Sequence, residues 1–517
     1  HQAPQSYLDK YKGKFDAGWD VARAEWFERQ QQMGIIPKGT KLAPLNPGVK
    51  PWAELSENKK KFAARLQEAF AAMLEHTDDQ IGRMVQFLKD IGQWDNTVFI
   101  LMSDNGASQE GGASGVFDEM KWFNGIREDV DAAVERLDDI GTLHSHSNIP
   151  WGWAQVGNTP LKWYKQNTHG GGVRDPLIIH HAGKLAGAGG IRPQFCHAID
   201  LTPTVLDIIG IAQPSHVGEV AQMPIHGVSL KPVLSDSKAK LARGAQYFEM
   251  LGHRGIWKDG WKAVTHHESG KPFDEDKWEL YHLDEDFSEC NDLADKEPAR
   301  LKAMVDLWWA EAEAHGALPL DDRAAFALFA ASRRPGMPTS RGRFIYHPPV
   351  SHIVSDACPP VARGWKMEAN IIHPASGGDG ALIARGSINS GFVLYIKDGK
   401  PHFDYNAFHV HTLVSGSDVI ATGARTIGVT VTRRADGGGD IALLVDGKEV
   451  ATGEVKMLLF MISSIGMDLG QSYAPINDAY REPFTYGGKI TTVTFDIPDL
   501  PQRGEAISQV RAAEAQQ

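Results

Sequence analysis

Between Asn58 and Trp94 the apolar positions Phe62, Leu66, Phe70, Met73, Ile81, Met84, Leu88 and Ile91 recur in steps of three, four or eight. That spacing draws one stripe on a helix and predicts a long amphipathic helix, or two nearly collinear ones. The pattern then switches: Thr97 to Met102 is continuously apolar. Such a run reads as a strand covered on both faces, and a helix feeding it predicts a parallel sheet flanked by helices. Pro176 to His180 is a second run of the same kind.

A long insertion separates the two strands. It is rich in Gly and Ser from Ala107 to Gly115, has an acidic helical segment near Arg127 to Ile140, and ends in the aromatic loop Pro150-Trp-Gly-Trp153. Insertions at strand ends commonly shape binding sites. Asp200 to Ile209 predicts another helix, with an Asp cap, proline in its first turn and Gly210 as its stop.

From about Gly244 the pattern becomes short and alternating. Asp-Gly turns at 259–260, 398–399 and 446–447 sit between β-type runs and predict hairpins. Pro298 to His315 reads as a helix closing a small antiparallel sheet. The expected division is therefore 1–243 α/β, 244–330 a small α+β subdomain, 331–341 a linker, 342–500 a β-sandwich of jelly-roll type, and 501–517 a tail.

Composition narrows the function classes. The 517 residues are 42% hydrophobic and 23% charged with net charge −12, a globular profile with no basic excess, so no nucleic-acid partner is expected. Cys196, Cys290 and Cys358 are far apart in sequence and support neither a disulfide framework nor a cysteine-rich zinc site. No apolar stretch is long enough to span a bilayer, so a soluble protein is expected; its compartment, cytoplasmic or periplasmic, is not legible in the sequence.

The candidate chemistry begins at Ser103-Asp-Asn-Gly106, where the first apolar strand stops. A carboxylate and an amide carbonyl at a strand end are two hard oxygen donors for a cation. The same string is also good turn chemistry, so the residues alone leave both readings open.

Several motifs occur in an order that resembles a bacterial arylsulfatase of the formylglycine-dependent, alkaline-phosphatase-like superfamily. They are His1-Gln-Ala-Pro, Asp79-Gln-Ile-Gly-Arg83, Ser103 to Gly106, Lys165 with Gly170-Gly-Gly-Val-Arg174-Asp-Pro176, Asp200-Leu-Thr-Pro-Thr204, Gly260-Trp-Lys-Ala-Val264 and Tyr281-His-Leu283. The resemblance covers roughly residues 1 to 330. It implies an α/β fold with a mostly parallel alkaline-phosphatase-like sheet flanked by helices, its N-terminal strands missing here. It also implies hydrolysis of sulfate esters, aryl or sugar.

By the same resemblance Asp104 and Asn105 are metal ligands, usually to Ca²⁺, and Lys165 grips the sulfate oxygens. His169 is a supporting or leaving-group contact. Relatives carry two histidines close together near His1, and the catalytic one is expected upstream of it. Arg174 is expected to anchor the glycine loop by an ion pair, and Gly170 to Gly172 to supply a tight backbone turn. His144 and His146 are read as loop or substrate-facing residues, while His180, His181 and His197 are expected to be packed and hydrogen-bonded. Trp151 and Trp153 either line a pocket or pack the insertion.

The family's nucleophile arises from Cys-x-Pro-Ser-Arg or Cys-x-Pro-Ala-Arg, and no such string occurs in this sequence; Cys358-Pro-Pro-Val-Ala lacks the Ser-Arg or Ala-Arg. The formylglycine and a further Asp-Asp ligand pair are expected upstream. The chain is thus expected to be a C-terminal portion, inactive alone. Two alternatives remain: a phosphonate or phosphodiester hydrolase of the same superfamily, and a noncatalytic glycan-binding protein using aromatics such as Tyr395, Phe403 and Tyr405.

Overall fold

Three helices, α1 (Gln5–Tyr11), α2 (Trp19–Gln32) and α3 (Glu57–Asp90), open the chain. A computed structural model describes residues 1–182, 184–185, 189–323, 342–350 and 352–498. The predicted long helix is one unbroken element, started by Ser56, whose Oγ accepts from the Lys59 N–H at 3.4 Å. Its first half is core: Phe62, Leu66, Ala69 and Ala72 are buried against Leu8, Trp19, Trp52 and Trp153. Its second half leaves Leu74, Met84, Phe87 and Ile91 exposed.

Strands β1 (Val98–Met102) and β2 (Leu177–His181) fall where the apolar runs placed them. Their pairing differs from the parallel arrangement expected: Val98 faces His181 and Met102 faces Leu177, so the pair is antiparallel. The cause is the insertion. Residues 103–176 leave from the end of β1 and return to that same end, where the Ser103 N–H donates to Pro176 O at 3.2 Å. A parallel neighbour would need a crossover back to the start of β1. Neither strand has a fully buried residue, and Leu101, Met102 and Ile178 are exposed.

A second body follows. Strands β3 (Gln246–Met250), β4 (His253–Lys258), β5 (Trp261–Thr265) and β6 (Trp278–His282) form an antiparallel sheet in sequence order, covered by the helix Pro298–Ala314. Trp308, Met304 and Ala312 of that helix pack on Ile256, Ala263 and Leu280.

The β-sandwich has a six-stranded and a five-stranded sheet, both antiparallel. Its strands are β7 (Arg343–Tyr346), β8 (Trp365–His373), β9 (Gly380–Gly386), β10 (Gly391–Lys397), β11 (Lys400–Ala407) and β12 (Val410–Ser415). They continue as β13 (Gly423–Arg433), β14 (Gly439–Val445), β15 (Lys448–Val455), β16 (Met467–Leu469) and β17 (Lys489–Asp496). The sheet orders are β15-β14-β13-β8-β17-β7 and β12-β11-β10-β9-β16. Trp365, Met367, Phe392, Leu394, Phe403, Tyr405, Val429 and Phe495 fill the space between them. Phe403 and Tyr405 are wholly buried and Tyr395 is 2% exposed, so none of the three offers a ring to a sugar. The expected linker 331–341 and tail 501–517 lie outside the described residues.

The α/β class therefore stands, with a small antiparallel subdomain and a β-sandwich behind it. Among the described residues no helix is long and apolar enough to cross a membrane.

Candidate functional site

The end of β1 is stitched to the loop before β2. The Gly106 N–H donates to Gly172 O at 3.2 Å, the Ala107 N–H to Asn158 Oδ1 at 3.0 Å, and the Lys165 N–H to Ala107 O at 3.1 Å. Segments 103–110 and 158–172 thus form one unit, which places Asp104, Asn105 and Lys165 on the same small platform. The approach is closer than a side chain permits: a Cβ on Gly106 would lie 1.7 Å from Gly171 O. Trp163 (φ 64°) and Gln166 (φ 74°) hold left-handed backbone on either side of Lys165. Strain of this kind persists only where surrounding contacts over-determine it.

Asp104 is exposed and Asn105 half-buried. The Asn105 Nδ2 group donates to Gly106 O at 3.0 Å. Asp175 lies close enough that burial, and then the Asp104 charge, push its carboxyl up to about 7. Asp104, Asn105 and Asp175 carry carboxylate and amide oxygens, the donor chemistry a hard divalent cation selects. The set fits in kind and is short in number. Among the described residues no group of three or more His, Cys, Asp or Glu is arranged to hold a metal.

Lys165 does not float. Its Nζ sits 2.9 Å from Glu110 Oε1, and Glu110 is buried. Burial opposes the Glu110 charge, but hydrogen bonds from Ser108 and Lys165 outweigh it and hold the carboxyl below its usual range. Gln166 Nε2 reaches the same oxygen at 3.3 Å, and Gln109 Nε2 reaches Gln166 Oε1 at 2.9 Å.

His169 lies beneath this platform, 1% exposed, with Nε2 3.3 Å from Glu279 Oε1. Glu279 also takes Lys162 Nζ at 3.1 Å and the Tyr281 hydroxyl. Burial works against its charge, yet His169, Tyr281 and Lys162 hold it well below the ordinary carboxylate range. Of the two roles expected for His169, burial favours support over contact with a leaving group.

Glu289 sits one layer deeper. Its Oε2 accepts from the Gly170 N–H at 2.9 Å and its Oε1 lies 2.7 Å from Lys262 Nζ, both side chains being buried. The glycines were expected to supply a tight backbone turn, and they form one helical turn, Gly170–Val173, closely packed on neighbouring backbone. A Cβ on Gly171 would lie 2.1 Å from Trp163 O, and one on Gly172 would lie 1.9 Å from Asn167 O. Arg174 stacks its guanidinium 3.7 Å above the Phe287 ring centroid, a cation–π anchor where an ion pair was expected.

The remaining candidates separate cleanly. Trp153 is wholly buried among Phe15, Trp19 and Trp52, so it packs the core; half-buried Trp151 donates to Gln109 O at 3.0 Å. His146 Nε2 is 3.6 Å from Glu119 and His144 is exposed. His180 stacks on Trp94 at 4.7 Å, its Nε2 without a hydrogen bond among the described residues. His197 Nδ1 accepts from the Ile199 N–H. Asp200 is the N-cap residue of the helix Leu201–Ile209, but its side chain makes no cap hydrogen bond to that helix; it accepts instead from the His197 N–H at 2.8 Å, in a capping box of the turn Ala198–Asp200. It is buried, paired with Arg243, and accepts from the Val228 N–H at 2.8 Å.

Sequence reasoning missed Glu110, Glu279 and Glu289, the carboxylates that hold Lys165, His169 and the glycine turn. Only Glu110 left a trace, as the one acid in a Gly- and Ser-rich stretch.

A histidine cluster faces the platform from the β3–β6 sheet: His266 stacks on Trp163 at 4.8 Å and His253 lies 4.4 Å from His266. Burial first, then His266, His169, His267 and Arg254, drive His253 down to about 3, and its Nδ1 accepts from the His267 N–H. Between the unfolded histidine value near 6.5 and about 3, the unfolded chain binds a proton that the folded chain refuses, so stability falls as pH falls through that window. Denaturation at pH 7 and pH 4 is expected to show a loss on the order of a few kcal/mol, and a smaller one in His253→Gln.

Comparison with known proteins bears on this geometry. The sulfatase family model matches residues 1–211, and the model for the C-terminal region of N-sulphoglucosamine sulphohydrolase matches residues 161–308. An uncharacterised sulfatase of Schizosaccharomyces pombe is 32% identical over 316 residues, 59% of this chain and 54% of the relative. An arylsulfatase of Klebsiella aerogenes is 27% identical over 233 residues, 45% of this chain and 48% of the relative. The solved structure of a candidate sulfatase from Bacteroides fragilis aligns with TM-score 0.36 and 17% identity, over 60% of this chain and 50% of that one. The chain spans about half the length of the curated relatives it matches.

Proposed function

Since residues 1–211 of this chain belong to the sulfatase family, of the alkaline-phosphatase-like superfamily, we propose that the protein acts on sulfate esters, of the arylsulfatase type. In this reading Lys165 and the Asp104-Asn105 turn make up the sulfate-binding face. The observation that supports it most is the stitching of segment 103–110 to segment 158–172, which sets a fixed cation and two hard oxygen donors on one platform.

Each residue then has a task. The Lys165 ammonium meets the sulfate oxygens and offsets the negative charge that builds on the transferring group and its leaving oxygen. Glu110 keeps that ammonium from swinging into solvent. Asp104 and Asn105 would hold a divalent cation, Ca²⁺ by family resemblance, which when bound polarises a sulfate oxygen. His169 acts from below, fixing the loop through Glu279.

The family's formylglycine nucleophile is not assigned to any cysteine of this sequence. Cys358 is buried in the sandwich with its thiol toward Ile353 O and Val354 O, and Cys290 lies against Ser288. The platform residues bind the ester and stabilise its charge.

Two or three oxygens on an exposed turn hold Ca²⁺ weakly, because the ion seeks six to eight. Calorimetric titration with CaCl₂ is expected to give a dissociation constant on the order of millimolar. Asp104→Ala is expected to abolish the binding; an unchanged isotherm in that variant would remove Asp104 from the ligand set.

A further inference from the structure

The β-sandwich touches the α/β body at the insertion that carries Glu110. Its β11–β12 turn puts Phe408 (φ 54°) and His409 (φ 68°) into left-handed backbone, and this thrusts the His409 ring toward the insertion. His409 Nε2 lies 3.5 Å from Asp118 Oδ2, with the two side chains 18% and 1% exposed. Neither atom has a hydrogen-bond partner among the described residues, so what joins them is an ion-pair contact at 3.5 Å. The Phe117 ring meets the His409 ring edge-on at 6.2 Å.

Two further contacts flank this one. Asn124 Oδ1 accepts from the Phe460 N–H at 2.6 Å and the Met461 N–H at 3.2 Å, while its Nδ2 donates to Met461 O at 2.8 Å. Asn389 Nδ2 donates to Leu143 O at 3.2 Å. The sandwich therefore grips the insertion at 118, 124 and 143.

Between those grips runs a polar path to Lys165. The Glu119 N–H donates to His146 O at 2.7 Å, and the His146 N–H donates to Asp118 Oδ1 at 3.3 Å. Asn148 Nδ2 reaches Glu119 Oε1 at 3.0 Å and Ser108 Oγ at 2.7 Å. The Ser108 hydroxyl donates to Glu110, and Glu110 holds Lys165. Every member of this path, Lys165 included, sits in the insertion, whose regular structure is limited to short helical pieces.

We infer that the β-sandwich is a positioning element for Lys165: His409 on Asp118, with the Asn124 contacts, clamps the insertion whose Glu110 fixes the lysine. The sandwich then serves the site as a buttress. The clamp rests on geometry alone; its consequence for sulfate rests on the function proposed above.

Hydrogen exchange by mass spectrometry on the full chain tests the clamp. The Lys165 amide donates to Ala107 O, so peptides spanning 163–167 report directly on the stitch. In His409→Ala and in Asn124→Ala, peptides 107–123, 141–150 and 163–167 are expected to exchange about tenfold faster, while β10 inside the sandwich keeps its protection. His409→Gln, which retains a donor toward Asp118, is expected to restore protection. If His409→Ala disturbs the sandwich itself, shown by loss of protection in β10, Asn124→Ala carries the test from the opposite side of the interface.

Wild-type exchange in Asn124→Ala overturns the inference. Titration with inorganic sulfate supplies the second reading, with about tenfold weaker binding expected in the clamp variants. Faster exchange with unchanged sulfate affinity, in a protein whose sulfate binding needs Lys165, also overturns positioning. Sulfate binding indifferent to Lys165→Ala counts against the proposed function, and the clamp is then decided by exchange.

Discussion

Glu289→Ala is expected to destabilise the fold by about 3–5 kcal/mol, the cost of leaving a buried charge without its partner. Glu289 and Lys262 are 1% and 3% exposed and lie 2.7 Å apart. Burial alone would raise the Glu289 carboxyl, but Lys262, His169 and the Gly170 N–H keep it below its normal range; Lys262 is in turn lowered by burial despite Glu289. Removing the carboxylate leaves an ammonium in a dry site and takes the acceptor from the Gly170 N–H. Urea denaturation measures the effect. Pairing Glu289→Ala with Lys262→Met is expected to recover much of the loss, since the orphaned charge goes too. A single variant within about 0.5 kcal/mol of wild type would mean that water reaches the pair.

Gly171→Ala carries the second large effect. The added Cβ would stand 2.1 Å from Trp163 O and 2.3 Å from Lys162 O, both backbone atoms that no side-chain rotation can clear. The chain must open between 162 and 171, which pulls Lys165 away from Ala107 and Glu110. Thermal unfolding is expected to show a loss of roughly 2–4 kcal/mol with sulfate binding gone. Gly112→Ala is its control. No atom lies within 4 Å of that Cβ, and Gly112, unlike Gly171, has φ +66°, so its cost is expected to stay at about 1 kcal/mol, from the left-handed backbone alone.

These two glutamate and glycine effects mark where sequence reasoning reached and where it stopped. The Asp-Gly turns were legible because their chemistry is local: Asp259, Asp398 and Asp446 have φ of 47°, 52° and 49°, each followed by a left-handed glycine. The long helix was legible too, in its extent, from the three-and-four spacing of its apolar residues. Which half of it would be buried was not, since Phe62 and Met84 belong to the same stripe and differ only in what packs on them.

Strand direction escaped for a similar reason. A continuous apolar run tells that a strand is apolar on both faces and says nothing of its neighbour's sense, which here was set by where the insertion returns. Asp200 shows the same limit in a single residue. Asp before a Leu-Thr-Pro turn reads as a cap, and Asp200 does hold the N-cap position, yet its carboxylate is taken by the preceding turn and by an arginine 43 positions on. In the site, Asp104, Asn105 and Lys165 came from a resemblance in motif order, and the fold puts them on one platform. Glu110, Glu279 and Glu289 belong to no motif, and long-range contacts alone reveal their work.

The most direct test of the central claim is calorimetric titration of the full chain with sodium sulfate at fixed ionic strength, in the presence of Ca²⁺, for wild type and Lys165→Ala. A saturable isotherm is expected in wild type, with at least about tenfold weaker binding in Lys165→Ala, from loss of a charge-assisted contact. Identical isotherms for the two proteins would contradict that claim.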